Sequence, residues 1–174
     1  MSNLTPDETL LGLLMVKPQH GYQLLETFQD EQQLGRVWRL STSQLYAVLK
    51  RLETQRLILG EVIISPDAPP RTVFSVTEAG RQQVLAWLNE PHPSPSVRHV
   101  RVEFLSRLYV AHLLNISADT LINHQQKTCQ QKLRQLNAQM VSKESEIANL
   151  SIRLEIAQMT AILEWLRNLN IVHT

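Results

Sequence analysis

The sequence predicts a mainly α-helical fold, and three features of its 174 residues indicate this. Glycine is sparse, with 5 residues, and aromatic side chains make up only 5%, whereas Leu, Gln, Ala and Arg are frequent. Apolar residues recur at helical spacing through most of the chain. Hydrophobic residues reach 43% and charged residues 19%, which supplies material for a core and argues against a disordered chain.

A domain boundary is expected at residues 90–96, EPHPSPS, because three prolines at alternate positions interrupt any helix or strand. It separates residues 1–90 from residues 91–174. The first part holds eight Lys and Arg against ten Asp and Glu, so it has no overall basic signature of nucleic-acid binding. Five cations and one acid nevertheless lie between Arg36 and Arg56, so positive charge gathers around residues 41–57.

Two helices are expected before residue 30. The first covers residues 6–16, with Thr5 as its cap and the following Lys-Pro pair as its end. Its leucines face nearly all round, which predicts a helix buried against several elements. The second begins at HGY, residues 20–22, and buries Leu24, Leu25 and Phe28. Trp38 is expected to pack beneath the turn that follows.

Residues 42–56 predict a third helix with two different faces. Ser41 and Gln44 have capping-box spacing at its start. The core face carries Leu45, Val48, Leu49, Leu52 and Arg56. The opposite face begins with small and hydrogen-bonding residues and continues with cations: Ser43, Gln44, Ala47, Lys50 and Arg51. Such a face suits a DNA groove, although the pattern also fits an ordinary surface helix.

Two β-branched stretches, residues 59–64 and 72–76, flank a proline-rich segment and predict a hairpin. A lone two-stranded hairpin is unstable in water, so it must pack on the helices. A fourth helix, capped by Thr77, runs to about Asn89. Two helices, a connection, a third helix and a hairpin follow one another in the order typical of a winged helix-turn-helix with a two-stranded wing. Arg71 lies at the base of this wing.

The C-terminal part predicts long helices. One covers residues 97–114, and Ser117 is expected to cap the next. Residues 118–170 contain neither glycine nor proline, which fits one very long helix or two helices hinged near residues 142–151. We favour two, because a single helix of that length is rare. Eight apolar residues between Leu133 and Ala161 occupy a and d positions of one heptad frame, as in a coiled coil, and Lys143 interrupts the series.

These leucines exceed what a domain of this size can bury, so they need a partner surface. A symmetric homodimer is favoured, and the rival is a helical hairpin closed on the N-terminal domain. The expected dimerisation residues are Phe104, Leu108, Leu133, Leu136, Met140, Ile147, Leu150, Leu154, Ala161 and Trp165.

Several segments together resemble the PadR family of bacterial transcription regulators. They are LLGLLMVKPQHGYQL (10–24), Trp38, STSQLYAVLKRLE (41–53) and VFSVTEAGRQQVLAWL (73–88), with looser matches over residues 102–114 and 154–166. The resemblance implies a dimeric DNA-binding repressor, less often an activator, with the C-terminal helices as dimer interface. The wing tip departs from the family, because SPDAPPR has Asp67 and a single cation, and Ala47 stands where proline is frequent.

Two sets of DNA contacts are expected. Ser43, Gln44 and Ala47 read base edges, with Gln44 pairing to adenine and Ala47 touching a thymine methyl group. Phosphates are met by cations and by backbone N–H groups at the start of the second helix. The full set is His20, Tyr22, Arg39, Ser43, Gln44, Tyr46, Ala47, Lys50, Arg51 and Arg71. Tyr22 and Tyr46 as plain core residues remain an alternative. A dimer predicts a pseudo-palindromic operator.

Other chemistry is not indicated. The six histidines lack paired metal-ligand spacing, Cys129 is isolated and expected to be a small buried hydrophobe, and no phosphate loop or catalytic signature occurs. We therefore expect no enzyme, cofactor or metal site. The longest apolar run, residues 10–16, is too short to span a membrane, and no signal-peptide pattern begins the sequence, so the cytoplasm is expected.

Two further interpretations stay open. The net charge of −2 over residues 1–90 leaves open the alternative that the chain is a winged-helix module for protein–protein assembly without DNA binding. The resemblance also implies a small-molecule effector, such as a phenolic compound. Trp38, Trp87 and Tyr109 are candidate lining residues, although ordinary core packing is the favoured explanation for each.

Overall fold

The computed structural model describes residues 4–65, 68–140 and 145–169. The helices are α1 (Asp7–Val16), α2 (Gly21–Gln29), α3 (Thr42–Thr54), α4 (Glu78–Leu88), α5 (Val97–His99), α6 (Leu105–Leu113), α7 (Asp119–Gln139) and α8 (Glu146–Arg167). The strands are β1 (Gln19–His20), β2 (Ile58–Ser65) and β3 (Ala68–Val76). No helix within these ranges is both long and apolar enough to cross a bilayer.

By its contacts the chain forms two compact units. The first contains residues 1–89 and 105–117, and the second contains residues 90–104 and 118–174. The break after Asn89 coincides with the proline-rich segment, but residues 105–117 return to the first unit. The division of the chain into a DNA-binding domain (residues 1–90) and a dimerisation domain (residues 91–174) therefore stays a prediction.

The core of the first unit is built on α1. Leu10, Leu11 and Leu14 are almost inaccessible to solvent, as their all-round distribution predicts. Gly12 lets α6 approach, since a Cβ at this position would lie 2.5 Å from Cγ1 of Val110. The helix begins one residue later than expected: Pro6 occupies the cap position without a side-chain bond, so the prediction of Thr5 as cap is wrong.

Helix α3 also ends earlier than the sequence predicts. Its last residue is Thr54, and Arg56 has a φ of 60°, in the left-handed region. Arg56 therefore lies outside the helix and not on its apolar face, where we expected it. Its carbonyl accepts a hydrogen bond of 2.9 Å from the hydroxyl of Thr77, which caps α4 as expected. This bond ties the end of α3 to the start of α4.

The sheet has three antiparallel strands in the order β1-β3-β2, where the sequence predicts two. Strand β1 is only two residues long, and its His20 lies opposite Val73 of β3. Strands β2 and β3 are longer than expected, and β3 includes Pro69 and Pro70. The predicted tip residue Asp67 lies outside the described residues.

In the second unit, α7 and α8 pack antiparallel. Lys132 pairs with Glu155 at 3.3 Å, and further along the pair the Gln126 side chain donates to the Leu166 carbonyl. Two helices are present, as favoured, but the hinge does not extend to residue 151, since α8 begins at Glu146. Residues 142–144 of that hinge lie outside the described ranges. Ala118 and not Ser117 occupies the α7 cap position, so that prediction is wrong.

Residues 97–113 form one helical run instead of a uniform α-helix. Between α5 and α6, residues 100–104 make a π-helical turn. Such a turn inserts one extra residue into the helix and shifts the faces on either side of it. Phe104 at its end is buried in the second unit, whereas Val110 on α6 is buried in the first.

Candidate nucleic-acid interface

Helix α3 presents two faces, and burial follows the apolar pattern of the sequence. Leu45, Leu49 and Leu52 are almost completely buried. The side chains expected to meet DNA are all exposed on this helix: Ser43, Gln44, Tyr46, Ala47, Lys50 and Arg51. The outward face of α3 is therefore free of the protomer's own core.

The start of α3 is held by a capping box. The backbone N–H of Ser41 donates to Oε1 of Gln44 at 2.9 Å, and the N–H of Gln44 donates back to Oγ of Ser41 at 3.3 Å. The side-chain oxygen of Gln44 therefore accepts one hydrogen bond within the cap, which holds this side chain at the start of α3. A bidentate pair with adenine uses both Oε1 and the amide N–H, so Gln44 must either share Oε1 between Ser41 and the base or leave the cap.

A cleft of about 760 Å³ opens where the start of α2 meets β3. It brings together four of the ten residues that the sequence proposes for DNA contact: His20, Tyr22, Tyr46 and Arg71. Tyr46 reaches it from α3, and its ring lies so close to Gly21 that a Cβ there would approach Oη to 2.8 Å. Glycine at the first position of α2 thus makes room for the tyrosine.

His20 is fixed at the edge of this cleft. Its Nδ1–H donates to the carbonyl of Thr72 at 3.2 Å, so Nε2 is the ring nitrogen left for another partner. Its backbone N–H donates to Oε1 of Gln23 at 3.0 Å. Gln23 and Thr72 also line this cleft, although they are not among the residues predicted from the sequence. The three-residue spacing from His20 to Gln23 is a capping-box signal that could have found the first of them.

The cations near α3 differ in what they contact. Arg51 is bound to the carboxylate of Asp7, with an Nε to Oδ2 distance of 3.2 Å and a second bond from Nη2 to Oδ1. Arg36 pairs with Glu31 at 3.1 Å. Lys50, Arg39 and Arg71 are exposed. The positive surface proposed from the sequence is therefore reduced at Arg51, whose charge is balanced within the protomer.

Comparison with known proteins identifies the family. The model of the transcriptional regulator PadR-like family matches residues 10–86. A curated relative, the negative transcriptional regulator PadR of Bacillus subtilis strain 168, is 30% identical over 128 residues, which cover 73% of this chain and 68% of the relative. The chain belongs to the PadR-like family of transcriptional regulators. This is a family of regulators and not of enzymes.

Solved structures are also similar to this PadR-like chain. Bacillus subtilis PadR in complex with operator DNA is 22% identical, with a TM-score of 0.48 over 97% of this chain and 98% of that one. A protein of Streptococcus mutans UA159 is 20% identical, with a TM-score of 0.48 over 94% and 97%. Bacillus subtilis PadR in complex with p-coumaric acid is 23% identical, with a TM-score of 0.44 over 93% and 91%.

The residues expected to form a dimer interface of this PadR-like chain fall into two groups. Phe104 and Leu136 are buried in the second unit, where the Phe104 ring meets Trp165 edge-on at 6.1 Å between centroids. Both are covered within the protomer, and their part in a dimer interface stays a prediction. The other eight predicted residues are half-buried or exposed: Leu108, Leu133, Met140, Ile147, Leu150, Leu154, Ala161 and Trp165.

The aromatic residues considered for an effector pocket have structural partners in the first unit. The indole N–H of Trp38 donates to Oγ of Ser106 at 2.8 Å, and the guanidinium of the buried Arg107 lies 5.4 Å from the ring centroid of Trp87. Tyr109 donates its hydroxyl to Oε1 of Gln33 at 2.8 Å, and burial together with nearby Asp30 raises the pKa of its phenol. These contacts fit the structural explanation of all three aromatics.

A second cleft, of about 420 Å³, lies in the second unit between the segment before α5 and the α7–α8 pair. Pro95, Val97 and Met159 supply apolar walls, and the Lys132–Glu155 ion pair lies at its side. Elsewhere, the residues with known positions contain no group of three His, Cys, Asp or Glu side chains able to hold a metal ion.

Proposed function

We propose that this PadR-like regulator binds double-stranded DNA as a homodimer and represses transcription from a pseudo-palindromic operator in the cytoplasm. The observation that carries the proposal is the exposed face of α3 beside the cleft at the start of α2. Support for repression comes from the Bacillus subtilis relative, which is named a negative regulator and has been solved with operator DNA.

Base reading is assigned to the first half of α3, where Ser43, Gln44 and Ala47 are exposed. This half of a recognition helix enters the major groove. With its oxygen in the capping box, Gln44 offers its amide N–H groups to an acceptor on a base edge, such as the N7 of a purine. Ala47 is small enough to let the groove approach and to meet a thymine methyl group.

Phosphate binding is assigned to the cleft and its surroundings. The first N–H groups of α2 have no partner within a helix, and together they form an anion site. The Tyr46 hydroxyl lies close to Gly21 at this point, and Arg71 also lines the cleft. Lys50 and Arg39 are exposed and add positive charge, so several phosphate contacts are expected per protomer.

Dimerisation is assigned to the exposed seam of α8. Ile147, Leu150 and Leu154 are 73%, 54% and 60% exposed, although they sit at a and d positions of one heptad frame. Apolar side chains at this spacing, left uncovered by the protomer, fit a second copy of the same helix. Two α3 helices related by the twofold axis would then read two half-sites of the operator.

We infer that a small organic effector controls this regulator, and the 420 Å³ cleft of the second unit is its candidate site. The cleft is within the size range of ligand pockets and combines apolar walls with hydroxyl and ammonium groups. The inference draws support from the complex of Bacillus subtilis PadR with p-coumaric acid. Its test is a thermal shift with p-coumaric acid as probe, repeated on Val97→Trp, which adds bulk to the lining of the cleft. The probe should raise the thermal midpoint of the parent protein and not that of the variant, and equal shifts in both would contradict the site.

Selection of bound sequences from random DNA, followed by gel shift across a salt series, tests the DNA-binding proposal. We expect a pseudo-palindromic site and a complex that weakens steeply with salt. Gln44→Ala should relax preference at one base pair of each half-site, whereas Lys50→Ala should weaken all sequences alike. If neither variant differs from the parent protein, α3 is not the reading helix.

A further inference from the structure

Residues 30–41 form the connection between α2 and α3. A helix-turn-helix usually joins these two helices by a turn of about three or four residues, so this longer connection needs contacts that fix it. Leu34 provides one, since its side chain is 1% exposed. The connection ends at Ser41, which caps the half of α3 to which base reading is assigned. A shift of the connection near Ser41 therefore moves the residues proposed to read bases.

Helix α6 contacts the connection through Ser106, which is fully buried. The indole N–H of Trp38 donates to Oγ of Ser106 at 2.8 Å. An indole N–H can only donate, so Trp38 depends on an acceptor at this half-buried position. Trp38 precedes the Ser41 cap by three residues. The bond to Ser106 therefore fixes the connection close to the start of α3.

A second contact from α6 reaches the first half of the connection. The hydroxyl of Tyr109 donates to Oε1 of Gln33 at 2.8 Å, and the amide of Gln33 donates to Oδ2 of Asp30 at 2.8 Å. Burial, and after it the charge of Asp30, raises the pKa of the Tyr109 phenol, which therefore keeps the proton that it donates. The bonds from Gln33 and from the backbone N–H of Gln32 lower the pKa of Asp30, so its acceptor stays a carboxylate.

We propose that Ser106 and Tyr109 of α6 are positioning residues for DNA reading, because they fix the connection and through it the start of α3. Residues three positions apart on a helix share one face, so α6 presents both side chains to the connection together. Groups that bind a ligand have to be held to within about 0.5 Å of their productive geometry. We call the bonds Trp38–Ser106 and Tyr109–Gln33 the α6 clamp. Its role in reading rests on the proposed function of α3.

A purely stabilising role for these bonds makes a different prediction from a positioning role. A variant that only loses stability binds DNA like the parent protein for as long as it stays folded. A variant in which the start of α3 moves loses contacts with base edges but keeps contacts with phosphates. Its affinity for the operator falls, whereas its affinity for unrelated DNA does not. The ratio of the two affinities therefore separates the two roles.

Binding measurements on three variants of the full chain test the positioning role. Ser106→Ala and Tyr109→Phe each remove one hydroxyl of the clamp. Val84→Ala is the matched control, because Val84 is buried on α4 in the first unit and its truncation costs stability without removing a clamp bond. Gel shifts compare the site selected from random DNA with a scrambled fragment of equal length, at a temperature where circular dichroism shows every variant folded.

We expect the ratio of affinities to fall roughly two- to tenfold in Ser106→Ala, the loss that one hydrogen bond predicts. The fall should be smaller in Tyr109→Phe, because its partner Gln33 is exposed, and Val84→Ala should keep the parent ratio. A parent that selects a site, together with an unchanged ratio in Ser106→Ala, would overturn the positioning role and leave the proposed function intact. A parent that selects no site would refute the proposed function, and the role in reading with it.

Hydrogen exchange followed by mass spectrometry tests the α6 clamp without DNA. Peptides from residues 30–44 should exchange at least about twofold faster in Ser106→Ala than in the parent, because one bond that opposes local opening is lost. The Val84→Ala control should leave these peptides unchanged. Parent-like exchange over residues 30–44 in both clamp variants would show that α6 does not fix the connection, and would overturn the proposal whatever the DNA measurements give.

Discussion

Arg51 of α3 is bound to Asp7 of α1 through both oxygens of the carboxylate. The two residues are 44 positions apart, and the ion pair joins the helix proposed to read DNA to the helix at the centre of the first unit's core. Because the Asp7 carboxylate satisfies the guanidinium, a DNA phosphate must compete with it for Arg51. The ion pair therefore keeps one cation of the proposed interface bound within the protomer.

Removing the carboxylate charge should release that cation. We expect Asp7→Asn to strengthen DNA binding and to steepen the slope of log K against log salt by about 0.9 for each new phosphate contact. The stability cost should stay below about 1 kcal/mol, since the pair is partly exposed. Salt-dependent gel shifts measure the slope. Asp7→Asn with Arg51→Ala is the control, and an unchanged slope in Asp7→Asn would show that Arg51 does not reach DNA.

Gly21 and Tyr46 should be coupled in DNA binding. A Cβ at Gly21 would lie 2.8–2.9 Å from three atoms of the Tyr46 ring, so Gly21→Ala must displace the ring from the start of α2. Loss of one hydrogen bond to phosphate, about 1 kcal/mol, predicts roughly fivefold weaker binding. Affinities of Gly21→Ala, Tyr46→Ala and the double variant form the measurement. Additive effects would contradict the coupling, because the clash is absent once Tyr46 is removed.

The exposed seam of α8 should hold the dimer together. Burial of a leucine is worth about 1.5–3 kcal/mol, and Leu154→Lys removes two of them per dimer, so the dimer should weaken by roughly a hundredfold or more. Leu154 is exposed in the protomer, so thermal stability at low concentration should change little. Sedimentation velocity measures the dissociation. The neighbouring exposed Arg153→Glu is the control, and a parent protein that sediments as a monomer would refute the seam.

Local pattern was enough to predict the elements whose residues act near one another in sequence. The alternating faces of α3, the capping box of Ser41 and Gln44, and the Thr77 cap all follow from spacing within a few residues. The family resemblance and these elements together predict a winged helix fold followed by C-terminal helices. The family match confirms the resemblance, and the architecture confirms the fold.

Features that depend on residues far apart in the chain could not be predicted from the sequence. Strand β1 has two residues, too few to show alternation, and it exists because His20 pairs with Val73 more than fifty positions away. The Arg51–Asp7 pair is equally non-local. Heptad spacing likewise marked Leu136 and Leu154 alike, but α7–α8 packing buries the first and leaves the second exposed. The sequence could not distinguish packing inside a protomer from packing between protomers.

Ionisation of Cys129 should lower the free energy of unfolding at alkaline pH. Its thiol is buried, and burial raises its pKa despite a hydrogen bond from the Gln125 amide at 3.4 Å. The folded state therefore favours the protonated thiol, and its contribution to the free energy of unfolding is complete below the ordinary thiol pKa of about 8.5. As pH rises above that value, the unfolded chain ionises first and stability falls.

Two measurements check this property of Cys129. Thermal midpoints between about pH 8 and pH 10 should fall less steeply for Cys129→Ala than for the parent protein, because the ionising group is gone while other alkaline groups remain. Iodoacetamide, which reacts with the thiolate, should label the native protein far more slowly than the urea-unfolded chain, as followed by mass spectrometry. Equal labelling rates, or parallel pH profiles for the two proteins, would show that the thiol is accessible in the folded protein.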